Sequence, residues 1–364
     1  MNCLQTILEI EKEIQSQLKS TSESVESDGS SNRFNVNFDT LTSGLDGKKR
    51  KRVLAEFTGW GPVEDLLVNE SVTEILINSS TEIWFETGGL LSRLGDHFAS
   101  ETTFRNFLER LYLQMQSRPT KERPMADGNL GSVRVHVAGS DITHGLTKVS
   151  LRRHPTNPWN LDKLLATGAL TTKQADLLIG LIQSRKNIVV AGSTGSGKTS
   201  LLNACLQELP INERVLTIED CHELKLKSPC GVQLYTRTDS QRILPDIDQA
   251  ELIRQALRMR PDRIVIGEVR GGEAKDLLLA LSTGHSGGMG SIHAEDPHQA
   301  LMRLEFLVQM GAPQWSVQTI RKLMSCSIHN LIMMRRQNGV RTLQGIYQIT
   351  SLEETGLLLE KLDA

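Results

Sequence analysis

A chain of 364 residues exceeds the about 250–300 at which a single hydrophobic core stops growing, so two domains are expected. With 41 Lys and Arg against 43 Asp and Glu, no overall charge draws it towards nucleic acid or anionic lipid. Its five cysteines are scattered and odd in number, which excludes a disulfide framework and suits a reducing cytosol; no apolar stretch approaches the ~18 residues of a membrane span, so membrane association must come through a partner.

In chain order, residues 4–18 place Leu4, Ile7, Leu8, Ile14 and Leu18 on one helical stripe. Residues 20–32 are Ser-rich, acidic and almost free of apolar side chains, the composition of a disordered tether. The run Lys48-Lys49-Arg50-Lys51-Arg52 reads as a solvated charged face. Residues 1–56 are therefore expected to be an N-terminal helix and tether. An α+β domain is expected over 57–150. It opens with a helix start at Pro62, followed by strands over 73–78 and 82–86 in a hairpin closed by Gly88-Gly89. A helix over 102–116 turns Phe104, Phe107, Leu108, Leu111 and Met115 inward, and two further strands lie near 133–138 and 148–151. Residues 151–158, with Arg152, Arg153, Pro155 and Pro158, read as a linker to a second domain over 159–364.

That second domain holds the most specific signal. Gly192-Ser193-Thr194-Gly195-Ser196-Gly197-Lys198-Thr199 has the form G-x-x-x-x-G-K-[ST]. An apolar strand over 187–191 precedes it, and a helix from Ser200 to Gln207 follows with its positive end towards the anion. The glycines let backbone N–H groups converge on phosphate oxygens. Lys198 would neutralise the β and γ phosphates, and Thr199 would offer its hydroxyl to Mg²⁺. The chain therefore binds a nucleoside triphosphate.

Residues 214–220 form a strand ending in Glu219-Asp220, and 263–270 another with Glu268 near its end. In a parallel sheet wound with helices, strand C-termini and the phosphate loop share one edge, so these carboxylates should converge near the γ-phosphate and its metal. Between them Asp248 and Glu251 resemble a capping box opening a helix. Residues 281–294 make a Gly-rich polar loop running into a short strand, with His285 and His293. Cys221-His222 with Cys230 lacks a fourth ligand at metal spacing and is set aside as a zinc site.

Four segments in order (192–199, 217–220, 264–270 and 283–294) resemble the Walker A, Asp box, Walker B and His box of the secretion ATPase superfamily of type II and type IV systems and type IV pili. Gly267-Glu268 departs from the ordinary Asp-Glu ending and matches that superfamily. Segments 258–263, 61–64 and 72–75 look most like its tight-adherence (Flp) pilus branch. The similarity runs from about Phe57 to the C-terminus.

The resemblance implies an α/β chain with a PAS-like N-terminal α+β domain, a linker and a RecA-like P-loop NTPase domain, assembled as a hexameric ring. It implies ATP and Mg²⁺ as cofactors, with residues 192–200 (through Ser200) as the cradle and Thr199, Glu219 and Glu268 around the metal. Glu219 matches the glutamate that activates water, and Glu268 the Walker B glutamate. Which is the base stays open, with Glu219 favoured. His293 matches the histidine that reports on the γ-phosphate. Arg134, Arg152 and Arg153 match arginines that complete the site, with Arg237 and Arg270 next. The implied function is a motor assembling, or also retracting, a Flp-type pilus at the cytoplasmic face of the inner membrane. Its partners would be copies of itself, a membrane platform protein and, indirectly, prepilin, with neutral charge and sparse aromatics arguing against nucleic acid. A type IV secretion traffic ATPase and a nucleotide-gated scaffold are the alternatives.

Overall fold

The computed structural model describes residues 3–24, 42, 44–131, 133–153, 158–238, 244–337, 339–354 and 356–363. Most of the expected tether, and Pro155 of the expected linker, lie outside these. The chain divides into two compact units, Met1–His154 and Pro155–Ala364.

The first unit runs α1 (Cys3–Ser24), α2 (Gly47–Thr58), a 3₁₀ turn (Gly61–Val63), α3 (Glu64–Val68), β1 (Val72–Ile77), β2 (Ile83–Thr87), β3 (Leu90–Arg93), α4 (Glu101–Met115), β4 (Met125–Leu130), β5 (Val133–Ala138) and β6 (Lys148–Arg153). Its strands pair antiparallel in the order β3-β2-β1-β6-β5-β4. Alternation sets the faces: Val133, Val135 and Val137 of β5 are buried, and Arg134 and His136 lie between them on the other side. Helix α4 starts at Ser100 because Ser100 and Thr103 each accept the other's backbone N–H. Its Phe104 and Phe107 pack on Phe98 at centroid distances of 5.1 and 5.0 Å.

Several expectations for this unit are corrected. The buried stripe of α1 is Ile7 and Ile10, packed on Val53 of α2, with Ile14 alongside; Leu8 is exposed. The basic run is not a uniform solvated face. Lys49 and Lys51 pair at the surface with Asp46 and Asp65, but Arg52 turns inward to Glu56, Asp96 and the carbonyl of His97. Arg110 of α4 donates to the carbonyls of Glu56, Phe57 and Gly59, closing the C-terminal end of α2. Helix α2, with α1 packed on it, is thereby bolted onto the sheet unit. Gly88-Gly89, with φ of 60° and 85°, joins β2 to β3 rather than closing the first hairpin. Arg152 and Arg153 belong to β6, which pairs with β1 and β5, so they are strand residues and not linker.

The second unit runs α5 (Leu161–Ala166), α6 (Thr172–Gln183), β7 (Ile188–Gly192), α7 (Lys198–Gln207), β8 (Val215–Glu219), β9 (Val232–Tyr235), α8 (Gln249–Ala256), β10 (Arg263–Ile266), α9 (Glu273–Ser282), β11 (Met289–His293), α10 (Pro297–Gly311), α11 (Val317–Ser327), β12 (Asn330–Gln337), β13 (Val340–Glu353) and β14 (Gly356–Lys361). The sheet order is β14-β13-β12-β7-β11-β10-β8-β9. From β12 to β9 all neighbours are parallel, and β13 and β14 add an antiparallel edge.

Each face has its own core. Ile188 and Val190 of β7 pack with Leu164, Leu178, Leu201 and Leu202 of α5, α6 and α7. Val189 and Ala191 pack with Ile253, Leu277, Leu304 and Ile320 of α8 to α11. Burial on both sides explains why these strands read as unbroken apolar runs. The parallel order brings the ends of β7, β8, β10 and β11 to one edge. Arg263 opens β10 nearly inaccessible to solvent, held by Glu213 and by the carbonyls of Ile182 and Gly287.

Candidate active site

The loop between β7 and α7 needs its glycines. Gly195 and Gly197 have φ of 70° and 99°, the left-handed region that a Cβ disfavours. At Gly192 a Cβ would collide with the Met334 carbonyl and the Ser196 hydroxyl. Among the described residues the backbone N–H groups of Gly195, Gly197, Lys198 and Thr199 have no protein acceptor. The Ser196 hydroxyl is likewise buried without a partner. Donors left open in this way at a helix start form a cradle for an anion.

Lys198 is buried, its Nζ donating to the carbonyls of Gly192 and Ser193 at 3.0 and 3.1 Å. Burial lowers its pKa, and the nearby Glu268 charge opposes that shift. His293 Nε2 lies 3.4 Å from Lys198 Nζ and 3.3 Å from Glu268 Oε1, with Thr194 Oγ1 at 3.5 Å. Burial first, and then Lys198, lower the His293 pKa, which favours the neutral ring.

Glu219 sits at the end of β8, 2% exposed. Its Oε2 accepts the N–H groups of Glu223 and Leu224 at 3.0 and 2.8 Å, while among the described residues Oε1 has only Thr217 Oγ1 at 3.5 Å. Burial raises its pKa to about 7, against the pull of those two N–H groups. The neighbouring Gly267 has a packing reason: a Cβ there would stand 3.2 Å from Glu219 Cγ. Asp220 faces elsewhere, accepting from Thr236 and Gln249. Arg270 bridges Asp220 to Glu268, so Glu268 is held between an arginine and a histidine.

The structure thus brings Lys198, Glu268, His293, Thr194 and Arg270 into one bonded network at the sheet edge, with Glu219 anchored at the neighbouring strand end. Arg237 is not in that network; it donates to the Pro245 carbonyl and bridges Ile247 in an exposed loop. In the first unit Arg134 lies 3.8 Å from Asp127, Arg153 donates to the Leu67 carbonyl, and Arg152 is exposed. His285 contacts the Ala280 carbonyl and joins neither the loop nor the carboxylates.

Sequence reasoning missed two walls of the site. An open cleft of about 420 Å³ beside Ser193, Thr194 and His293 is lined by Glu295, Gln299 and Arg303, the latter two from α10. On the opposite side, the β12–β13 hairpin touches the loop through Met334, Arg336 and Arg341. Neither carries a short motif; only the sheet order places them there. Among the described residues no helix is long and apolar enough to cross a membrane.

The family model described as "Type II/IV secretion system protein" matches residues 56–343. The chain belongs to that family. This secretion-family protein is 38% identical over 268 residues to a Mycobacterium tuberculosis (strain H37Rv) protein provisionally named for conjugal transfer, covering 71% of this chain and 76% of the relative. It is 32% identical over 306 residues to the type IV secretion system protein PtlH of Bordetella pertussis, covering 75% and 88%. Its fold is similar to the pilus retraction motor PilT solved with bound ADP, with TM-score 0.56, 21% identity, and coverage of 82% of this chain and 80% of that one. Family and complete phosphate loop agree, and the enzyme is an ATPase.

Proposed function

We propose that this secretion ATPase is a hexameric ring motor that drives pilin movement for a Flp-type pilus at the cytoplasmic face of the inner membrane, through an integral membrane platform protein. The observation that carries the reading is the open N–H cradle at the edge where Glu219, Glu268 and His293 gather. Lys198 and the cradle bind the phosphates, and Glu219 takes the proton of the attacking water. Its Oε2 is fixed by two N–H groups, its Oε1 is under-used, and a pKa near 7 suits a general base at neutral pH. Mg²⁺ fits Thr199 with Glu268, because no group among the described residues bonds the Thr199 hydroxyl; when bound it supplies charge neutralisation on the phosphates. Arg152, exposed and unburdened by Arg153's tie to Leu67, is the first-unit arginine best suited to add positive charge during turnover, with Arg134 second.

The names of the relatives favour a second reading, a traffic ATPase for a type IV secretion machine. Phosphate release that disappears in Glu219→Gln, with a six-subunit mass by light scattering, supports the motor. Negligible turnover in the wild-type protein leaves only a nucleotide-gated scaffold. Loss of surface pili without loss of secreted protein or conjugation in a Lys198→Ala strain supports the pilus role; the reverse outcome selects the traffic ATPase.

A further inference from the structure

The hairpin of β12 and β13 has a feature that the fold itself does not explain. Arg336 and Arg341 stand directly opposite each other across the strand pair. Like charges in that position repel and weaken a ribbon. Among the described residues neither has a carboxylate partner. Both lie against the phosphate loop. Arg341 Nε donates to the Gly195 carbonyl at 3.0 Å, and its Cδ would stand 3.5 Å from a Cβ on Gly197. Arg336 Nη1 is 3.1 Å from where a Cβ on Gly195 would stand. The placement follows from pairing: Met334 is in register with Gly192 of β7, so the end of β12 runs on alongside the loop.

Two unneutralised guanidinium groups held together beside open N–H donors call for an anion, and a guanidinium fork matches phosphate oxygens. The carboxylates, Lys198 and His293 occupy the β10–β11 side of the loop; the arginines occupy the other side. We propose that Arg336 and Arg341 form a second cationic wall of the nucleotide site. In this role Arg341 holds the loop through Gly195, and the pair binds the phosphates that ATP and ADP share. The pair therefore acts on nucleotide grip rather than on the bond-breaking step. This rests on the phosphate loop being the ATP site.

The test measures binding of a fluorescent ADP and a fluorescent non-hydrolysable ATP analogue, and steady-state kinetics, for Arg336→Gln, Arg341→Gln, Arg341→Lys and the double Gln variant. Each single Gln change should weaken both nucleotides about tenfold, and the double change about a hundredfold. KM should rise by similar factors while kcat at saturation falls far less. Salt should weaken binding less steeply in the double variant than in the wild type. Arg341→Lys, keeping the charge, should recover most of the affinity. ADP affinity unchanged in Arg336→Gln, which breaks no bond to the loop, overturns the proposal even if Arg341→Gln misfolds. A fall in kcat at constant KM overturns it too. Lys198→Ala separates the two levels: if it binds ADP like wild type, the ATP site itself is misplaced, whereas its loss of binding beside normal arginine variants defeats only the cationic wall.

Discussion

The two flanks of the phosphate loop are made of opposite materials. On the β10–β11 side a continuous chain of polar contacts runs from Lys198 through His293, Glu268 and Arg270 to Asp220, every charge facing a partner. On the β12–β13 side two exposed arginines face each other, with no acid among the described residues paired to either. A compensated network can hold a proton or a water in a chosen place, since its members are already oriented. A bare cationic pair has no such selectivity and can only attract. One flank is suited to chemistry and the other to retention.

The largest effect should come from the acidic flank. Glu219→Gln should lower kcat by ~10²–10⁴ in a phosphate-release assay, with ADP affinity nearly unchanged. If instead Glu268→Gln is the more damaging and Glu219→Gln loses less than tenfold, the base is Glu268. Burial should separate the flanks next. Glu213→Ala strips the partner from the buried Arg263 at the root of β10 and should cost about 3–5 kcal/mol in urea unfolding. Arg336→Gln on the exposed hairpin should change stability by less than about 0.5 kcal/mol. Equal costs at the two positions would erase the contrast.

Acidity offers a third cut. With Glu219 pushed up from 4.5 to about 7, a base must lose its proton, so kcat should climb as pH rises through about 7 and the limb should vanish in Glu219→Gln. Stability runs the other way. The folded protein holds this proton more tightly than the unfolded chain, so the stabilisation is full below about pH 4.5 and disappears as pH passes about 7, on the order of 3 kcal/mol in all. Unfolding midpoints for wild type and Glu219→Gln across that window measure it; parallel curves would refute the shift. Among the effects on turnover the smallest should be at His293→Ala, about tenfold in kcat for one lost hydrogen bond near the phosphates, with ADP binding preserved.

Much of this was legible in the residues, for identifiable reasons. Strands β7, β8 and β10 are buried on both faces, which leaves unbroken apolar runs, and α4 shows its inward stripe at helical spacing. The phosphate loop announces itself because its chemistry fixes residue types at short range. What escaped lacks such local pressure. Strand β4 has only Ala126 buried, and β3 is exposed throughout, so their pairing partners alone make them strands. Arg152-Arg153 close to a proline reads as linker, yet Val149 and Leu151 are buried and carry the alternation of β6 onward. Arg341 reaches Gly195 across 146 positions of sequence. That meeting depends on β12 lying beside β7, a neighbour relation no spacing in the chain encodes.

The register slip in the hairpin has one more consequence. Met333 pairs with Gly345 but Met334 with Leu343, so Gln344 is an extra residue in β13. It resets side-chain parity, letting Leu343 and Ile346 both point inward. Were Gln344 paired in a regular ladder instead of bulged out, every residue from Leu343 to the turn would change faces, turning Arg341 away from the loop it now touches. The reach of a guanidinium is thus set by a counting error in the weave, deliberately kept.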